Sequence, residues 1–292
     1  MQNQHNTQQL FDAFQAHGVF ISPEYRRAIE ARVDQILGYR PTVGVFGKTG
    51  AGKSSLCNAL FGQDVCPVSD IAACTRQTQE LTLGVGGKGI TLLDVPGVGE
   101  SCERDREYDT LYRDLMPRLD LILWVLKADD RAYTSDEIFF KNIVRPHVEA
   151  GTPFFLVINQ VDKIEPFREW DESARQPGPR QAAAIEQKRH AVAAYFGIPL
   201  EQVRAVSADE RYGLVGLVDG IIHALPREKR VAVLREVRGE HRSAEAREKT
   251  RSGFVDAVVD FVVDVVPFIP KAAKRAVTQG VKKLINWVAS WF

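Results

Sequence analysis

Short apolar runs alternate with amphipathic stretches through the middle of this chain. Six segments have the length and apolar content of strands: 42–46, 80–85, 89–93, 121–126, 154–158 and 203–206. Five further segments have apolar residues at helical spacing: 54–60, 103–118, 135–149, 181–196 and 214–225. The Gly86-Gly87 pair predicts a hairpin between the second and third strands. The alternation of strands and helices predicts an α/β fold with a doubly wound, mostly parallel sheet.

The two ends of the chain have a different pattern. Before the first strand, apolar residues at helical spacing predict two short helices, interrupted near 18–23. The segment 227–251 is rich in Arg, Lys and Glu, which predicts a solvated connecting helix. We therefore expect an N-terminal helical segment (1–40), a central domain (41–226) and a C-terminal helical region (227–292).

Two amphipathic stretches follow the charged segment. Residues 254–266 are apolar except for Asp256, Asp260 and Asp264, which would form one stripe on a helix. Residues 271–292 alternate basic and apolar positions and end in aromatic residues. Three interpretations of 227–292 stay open: a helical subdomain packed on the N-terminal helices, a membrane-surface helix, or a surface for a protein partner or for self-assembly. A transmembrane helix is disfavoured because the apolar run is short and carries three carboxylates.

Composition and charge add two expectations. The 38 basic residues equal the 38 acidic ones, so bulk binding to nucleic acid is not indicated. The polar N-terminus has no apolar segment of a secretory signal. We therefore expect a cytoplasmic protein, with peripheral attachment to the inner membrane face as the alternative if 253–292 binds lipid.

The sequence GKTGAGKS between the first strand and the first central helix has the pattern of a phosphate-binding loop. Gly47, Gly52, Lys53 and Ser54 match every fixed position of G-x-x-x-x-G-K-[ST]. Glycines let the backbone approach an anion, and a helix N-terminus favours negative charge. Lys53 would bridge the β- and γ-phosphates, and the Ser54 hydroxyl would hold Mg²⁺. The predicted phosphate-site residues are Gly47, Lys48, Thr49, Gly50, Ala51, Gly52, Lys53, Ser54 and Ser55.

Three downstream segments resemble the motifs that distinguish GTPases from other phosphate-loop proteins. Residues 94–97 resemble D-x-x-G, whose aspartate contacts Mg²⁺ through water and whose glycine senses the γ-phosphate. Residues 159–162, Asn-Gln-Val-Asp, resemble N-K-x-D, so that Asp162 would accept two hydrogen bonds from guanine that adenine cannot supply. Residues 206–208 resemble the S-A motif, in which Ser207 precedes Ala208 and the Ala208 N–H would contact guanine O6.

These four motifs, in this order across 42–225, resemble a small GTPase of the translation-factor class. The Era/TrmE-type branch is the most similar, and within it the YfjP/YeeP-type bacterial GTPases. Residues 69–77 parallel the switch I pattern of that branch, with Thr75 as the Mg²⁺ ligand and Thr78 as the alternative. The resemblance implies a P-loop NTPase fold that binds GTP or GDP. It also implies a Mg²⁺ site formed by Ser54, Thr75 and Asp94, and hydrolysis that involves Lys53, Thr75 and Gly97.

Three departures from the family pattern bear on base binding and hydrolysis. Gln160 replaces the usual lysine, which packs on the base and ties down the phosphate loop. Val98 follows Gly97 where Ras-like enzymes carry the glutamine that orients water, so we expect slow hydrolysis. Gly50 stands where some relatives use an asparagine to hold K⁺. Two sources of the missing catalytic group stay open. One is a side chain of this chain, namely Arg76, Glu100 or Glu103, and the other is a homodimer partner at the GTPase domain.

The sequence therefore predicts a nucleotide-controlled switch with slow, Mg²⁺-dependent GTP hydrolysis. The switch would control contact of the terminal helices with a membrane or a partner. Two alternatives stay open: a nucleotide-binding scaffold without significant hydrolysis, and an RNA- or ribosome-associated GTPase.

Overall fold

A computed structural model describes most of the central part of the chain. It covers 20–62, 79–83, 89–94, 112–131 and 133–266, together with Gln8, Phe11, Asp12, Gln15, Thr278, Val281 and Lys282. For 79–83 and Asp94 only the backbone is described. The described residues form two compact units, one within 41–224 and the other combining 1–40 with 225–292.

The central unit is built on a six-stranded sheet. Its strands are β1 (Thr42–Phe46), β2 (Gln79–Leu83), β3 (Ile90–Asp94), β4 (Leu121–Lys127), β5 (Phe154–Asn159) and β6 (Val203–Ala205). Their order is β2-β3-β1-β4-β5-β6. Edge strand β2 is antiparallel to β3, and the other pairings are parallel. The predicted doubly wound, mostly parallel sheet is confirmed.

The sheet brings several strand ends to one edge. In register, Val45 of β1 lies opposite Asp94 of β3, and Phe46 of β1 lies opposite Trp124 of β4. Asn159 at the end of β5 lies opposite Lys127. Because parallel strands point the same way, the loops that follow β1, β4 and β5 emerge side by side, where open α/β sheets bind ligands.

Eight α-helices lie wholly within the described residues, and 112–115 are also α-helical. The eight helices are α1 (Pro23–Gly38), α2 (Lys53–Phe61), α3 (Thr134–Phe139), α4 (Arg145–Glu149), α5 (Pro179–Phe196), α6 (Leu214–Ala224), α7 (Arg230–Leu234) and α8 (Ala244–Val265). A π-helical stretch, Phe140–Val144, joins α3 to α4, so the predicted helix 135–149 is locally widened rather than regular. The first part of the predicted helix 103–118 lies outside the described residues.

Aromatic side chains pack beside the sheet, where β1 and β4 are apolar apart from their end residues Thr42 and Lys127. Phe46 stacks on Trp124 with ring centroids 5.7 Å apart, and Tyr112 meets Phe139 edge to face at 4.5 Å. These side chains are nearly or fully buried. Burial of such rings supplies much of the hydrophobic stabilisation of a domain of this size.

The second unit corrects the expectation of one solvated helix over 227–251. That segment contains the short helix α7, a 3₁₀ turn (Gly239–His241) and the start of α8. Val231, Val233 and Leu234 are at most 1% exposed. The Arg235 guanidinium donates to the carbonyl oxygens of Leu37 and Tyr39 at the end of α1. A charged side chain of this segment therefore bonds backbone carbonyl groups at the end of another helix. A high proportion of charged residues in the sequence does not predict such contacts.

Helix α8 has the predicted carboxylate stripe. Ser243 caps its N-terminus, accepting a hydrogen bond of 2.9 Å from the Ala246 N–H. Asp256, Asp260 and Asp264 are exposed, whereas the other side of the helix is buried through Phe254, Val258 and Val262. Within the part of the chain that the structure describes, no helix combines the length and the apolar character needed to span a membrane.

Candidate functional site

The loop between β1 and α2 has the conformation that its glycines allow. Gly47, Gly50 and Gly52 have φ of 139°, 81° and 82°. A Cβ at Gly47 would lie 2.2 Å from the Val125 carbonyl oxygen, and one at Gly52 would lie 2.4 Å from Asn159 Nδ2. Gly47 and Gly52 are therefore required both for backbone conformation and for space. Helix α2 starts directly after Gly52, so its free N–H groups face the end of the loop and favour an anion.

Lys53 lies across this loop. Its Nζ donates to the carbonyl oxygens of Gly47 at 2.9 Å and Lys48 at 3.4 Å. Ser54 and Ser55 follow in the first turn of α2. The ammonium group and the first hydroxyl of the helix are thus held at the same end of α2, as binding of a phosphate and its metal ion requires.

Lys48 directs its side chain to two carboxylates of the central unit. Its Nζ is 2.8 Å from Asp136 Oδ2 and 3.3 Å from Asp130 Oδ2. Burial works to lower the pKa of Lys48, but hydrogen bonds and the charges of both aspartates outweigh it and raise that pKa. Burial raises the pKa of Asp136 despite the ion pair with Lys48 and the hydrogen bond from the Trp124 indole. Any phosphate contact by Lys48 would therefore come from its main chain.

Asn159 joins the phosphate loop to the segment after β6. Its Nδ2 donates to the carbonyl oxygens of Ala51 at 3.0 Å and Gly52 at 3.3 Å. Its Oδ1 accepts a hydrogen bond of 3.1 Å from the Ala208 N–H. The residue is 1% exposed. A buried amide that uses both ends in this way fixes the two loops relative to each other.

Gln160 retains one of the two contacts usually made by the lysine that it replaces. The residue has φ of 65°, and its Nε2 donates to the Gly50 carbonyl oxygen at 3.1 Å. Lys163 donates to its Oε1 at 3.2 Å. The glutamine therefore still ties down the phosphate loop through this bond.

Asp162 presents an unsatisfied carboxylate oxygen. Oδ1 is buried and has no hydrogen-bond partner among the described residues. The side chain borders a cavity of about 560 Å³ that is also lined by Phe167, Trp170, Arg175 and Glu210. A buried acceptor left without a donor is costly, and the N–H edge of guanine would supply donors. The residues present therefore fit a guanine base.

Sequence reasoning misses Gln181, which holds the Asp162 turn in place. It lies in the first turn of α5 and is 0% exposed. Its Nε2 donates to the carbonyl oxygens of Asp162 and Ile164, each at 2.9 Å. No spacing or motif marks this glutamine, because its role depends on how α5 packs against the turn.

The segment after β6 is held by backbone pairing. The N–H groups of Ser207 and Tyr212 each donate to the other residue's carbonyl oxygen, at 3.1 and 3.0 Å. Ser207 is buried, and its Oγ accepts from the Glu210 N–H. The Ala208 N–H is engaged with Asn159, so its contact with guanine O6 stays a prediction.

Several predicted site residues lie outside the described residues. They are Thr75, Arg76, Thr78, Gly97, Val98, Glu100 and Glu103. The backbone of Asp94 ends β3 opposite Val45, next to the strand that leads into the phosphate loop.

Comparison with known proteins agrees with this geometry. The profile of the family described as 50S ribosome-binding GTPase matches residues 42–160. The GTPase Era of Trichlorobacter lovleyi is 30% identical over 125 residues, covering 42% of this chain and 40% of its own. The uncharacterized protein YkfA of Escherichia coli K12 is 43% identical over 261 residues, covering 88% of each chain. This chain belongs to the Era-like small GTPases. YfjP of the same strain, also uncharacterized, is 41% identical over 88% of each chain.

Membership of the Era-like GTPases accounts for the arrangement of the loops. The matched segment contains the phosphate loop, the D-x-x-G sequence and the first two residues of the Asn-Gln-Val-Asp sequence. The similarity to YkfA and YfjP extends well beyond this segment. The family is one of GTP-binding proteins with a P-loop G domain, which confirms the resemblance inferred from the motifs.

Proposed function

We propose that this Era-like GTPase binds GTP and GDP with Mg²⁺, hydrolyses GTP slowly and acts as a nucleotide-controlled switch in the cytoplasm. The observation that carries the proposal is the position of Asn159. Its side chain bonds the phosphate loop on one side and the Ala208 N–H on the other. One buried amide therefore connects a loop suited to phosphates with a segment suited to a guanine base.

Base recognition is assigned to Asp162. Its buried, unpartnered Oδ1 supports a role in accepting hydrogen bonds from the guanine N1–H and exocyclic amine. Adenine has no donors in this pattern, so an adenine nucleotide would leave the carboxylate without partners. Gln181 and Asn159 act as positioning residues for this half of the site.

Phosphate binding is assigned to the loop of residues 47–55. Lys53 would exchange its carbonyl acceptors for β- and γ-phosphate oxygens, and the N–H groups at the start of α2 would donate to the phosphates. Ser54, with Thr75 and Asp94, would hold Mg²⁺, which neutralises negative charge that develops during phosphoryl transfer. These residues stabilise charge and position groups, which is the main protein contribution in phosphoryl transfer.

Slow hydrolysis follows from Val98, because an apolar side chain cannot orient the attacking water. A second protomer at the G domain would supply the missing group. Single-turnover hydrolysis of GTP at increasing protein concentration, with and without K⁺, tests this step. A rate constant that rises with concentration supports the homodimer. If hydrolysis is undetectable under every condition, the alternative function, a nucleotide-binding scaffold without significant hydrolysis, is supported instead.

Binding itself is tested by calorimetry on nucleotide-stripped protein. We expect heat of binding with GDP and with a non-hydrolysable GTP analogue at millimolar Mg²⁺, and none with ADP at the same concentration. Equal binding of ADP and GDP would contradict the role of Asp162. No binding of any guanine nucleotide would contradict the proposed function as a whole.

Contact of the terminal unit with a partner or membrane belongs to the same proposal. The apolar side of α8 is buried within its own unit, and its exposed side carries carboxylates. This supports packing of α8 in a helical bundle, and we place membrane or partner contact in 271–292, where Val281 is buried and Lys282 is exposed. Flotation of the full chain with anionic vesicles, in GDP and GTP-analogue states, tests the membrane version. The absence of flotation in both states would exclude it.

A further inference from the structure

Lys48 has an unusual environment for a residue of a phosphate loop. It is one of two lysines in the loop, yet only Lys53 lies across it. The Lys48 ammonium group is instead held by Asp136 at 2.8 Å and Asp130 at 3.3 Å. Its side chain is 30% exposed, whereas that of Asp136 is 0% exposed. The positive charge is therefore drawn away from the loop and toward the protein interior.

The acidic partners of Lys48 are themselves fixed. Asp136 lies in α3 and accepts a hydrogen bond of 3.3 Å from the Trp124 indole in β4. The Asp130 carbonyl oxygen accepts from the Tyr133 hydroxyl at 2.6 Å and from Lys188 Nζ at 2.7 Å. A fully buried carboxylate needs a charged partner, because an unpaired buried charge is strongly destabilising. The ion pair with Lys48 is thus a firm attachment.

The phosphate loop is consequently attached on two sides. Asn159 and Gln160 bond the carbonyl groups at Gly50, Ala51 and Gly52. Lys48 attaches the other end of the loop to α3 and to the segment after β4. The loop contains three glycines with positive φ, Gly47, Gly50 and Gly52, which give its backbone wide freedom. A loop with such freedom must be held to keep its N–H groups convergent.

We propose that Lys48 is a positioning residue of the nucleotide site, which acts by anchoring the phosphate loop to Asp136 and Asp130 and not by contacting phosphate. The proposal rests on the proposed function. The anchoring role and a direct electrostatic role of Lys48 predict opposite effects of removing Asp136 on nucleotide binding. If the Lys48 charge attracted phosphate, removal of Asp136 would free that charge and strengthen nucleotide binding. If Lys48 anchors the loop, removal of Asp136 weakens binding.

A double-mutant cycle on the full-length protein separates the two roles. The variants are Lys48→Met, Asp136→Asn and the double variant, and the measurement is the dissociation rate of fluorescently labelled GDP in Mg²⁺. We expect each single variant to accelerate GDP release on the order of tenfold, and the double variant to be no faster than the faster single one. The double variant removes both charges together, so it keeps the test informative if Lys48→Met alone does not fold.

A second readout distinguishes positioning from general loss of stability. The anchored loop holds the β-phosphate, so the variants should lose affinity for GDP while their affinity for GMP, measured by competition, stays close to that of the unmodified protein. General destabilisation would weaken GDP and GMP alike. Lys141→Met is the matched control, because Lys141 pairs with Glu137 at 2.6 Å on the exposed surface and belongs to the π-helical stretch, not to a strand end or loop of the site. We expect this variant to release GDP at the unmodified rate.

Slower or unchanged GDP release in Asp136→Asn would overturn the proposal, and so would additive effects in the double variant. Equal loss of GDP and GMP affinity would also overturn it. Each of these results leaves the proposed function intact, provided that the unmodified protein binds GDP. If the unmodified protein binds no guanine nucleotide, the proposed function fails first.

Discussion

Lys53 is the residue on which phosphate binding depends most directly. In the structure its ammonium group is bonded to loop carbonyl oxygens at Gly47 and Lys48, so it is already positioned over the loop. Lys53→Ala removes a charge-assisted contact worth about 1.5–3 kcal/mol. We expect GDP affinity to fall by at least tenfold in calorimetry. Lys141→Ala, which breaks the exposed ion pair between Lys141 of the π-helical stretch and Glu137 of α3, should bind GDP normally. If the Lys53 and Lys141 variants had equal affinities for GDP, Lys53 would not contribute to phosphate binding.

Asp162 is the residue to which we assign the selectivity for guanine over other bases. Asp162→Asn replaces an acceptor-only carboxylate by an amide that also donates, which matches xanthine better than guanine. We expect the preference to move from guanosine to xanthosine diphosphate, measured by competition with labelled nucleotide. Unchanged selectivity for guanine would contradict the assignment of Asp162.

At the scale of elements, α5 supports the base-binding turn through Gln181. Gln181→Leu removes hydrogen bonds to the carbonyl oxygens of Asp162 and Ile164 and leaves these acceptors unsatisfied. Such a loss costs about 1–3 kcal/mol, so GDP affinity should fall roughly 5- to 150-fold. Gln187→Leu, an exposed glutamine on the same helix, is the control and should bind GDP as the unmodified protein does. Similar affinities for both variants would contradict a positioning role for Gln181.

At the scale of the whole molecule, the terminal unit has a core of its own. Phe254 of α8 is 0% exposed, and α8 buries its apolar side in the described part of that unit. Phe254→Ala should lower stability by about 3–5 kcal/mol because it leaves a cavity. Asp256→Ala, on the exposed stripe, should change stability by no more than about 0.5 kcal/mol. Thermal unfolding followed by circular dichroism measures both. A Phe254 variant as stable as the Asp256 variant would contradict the packing of α8.

The sequence by itself determined the sheet, the phosphate loop and the family. These features depend on local chemistry: apolar runs of strand length, glycines that allow positive φ, and a lysine and serine at the start of a helix. Each of these can be recognised from neighbouring positions. The stripe of Asp256, Asp260 and Asp264 was predictable for the same reason, since helical spacing places residues four apart on one face.

Only the tertiary structure decided what the charged and amide side chains contact. Lys48 bonds Asp136 and Asp130, Gln160 retains a bond to the phosphate loop, and Gln181 holds the Asp162 turn. Arg235 bonds the carbonyl groups at the end of α1, in a segment that charge alone predicted to be solvated. Long polar side chains reach partners far away in sequence, and their local spacing carries no information about those partners. Their roles follow from how the strands and helices pack.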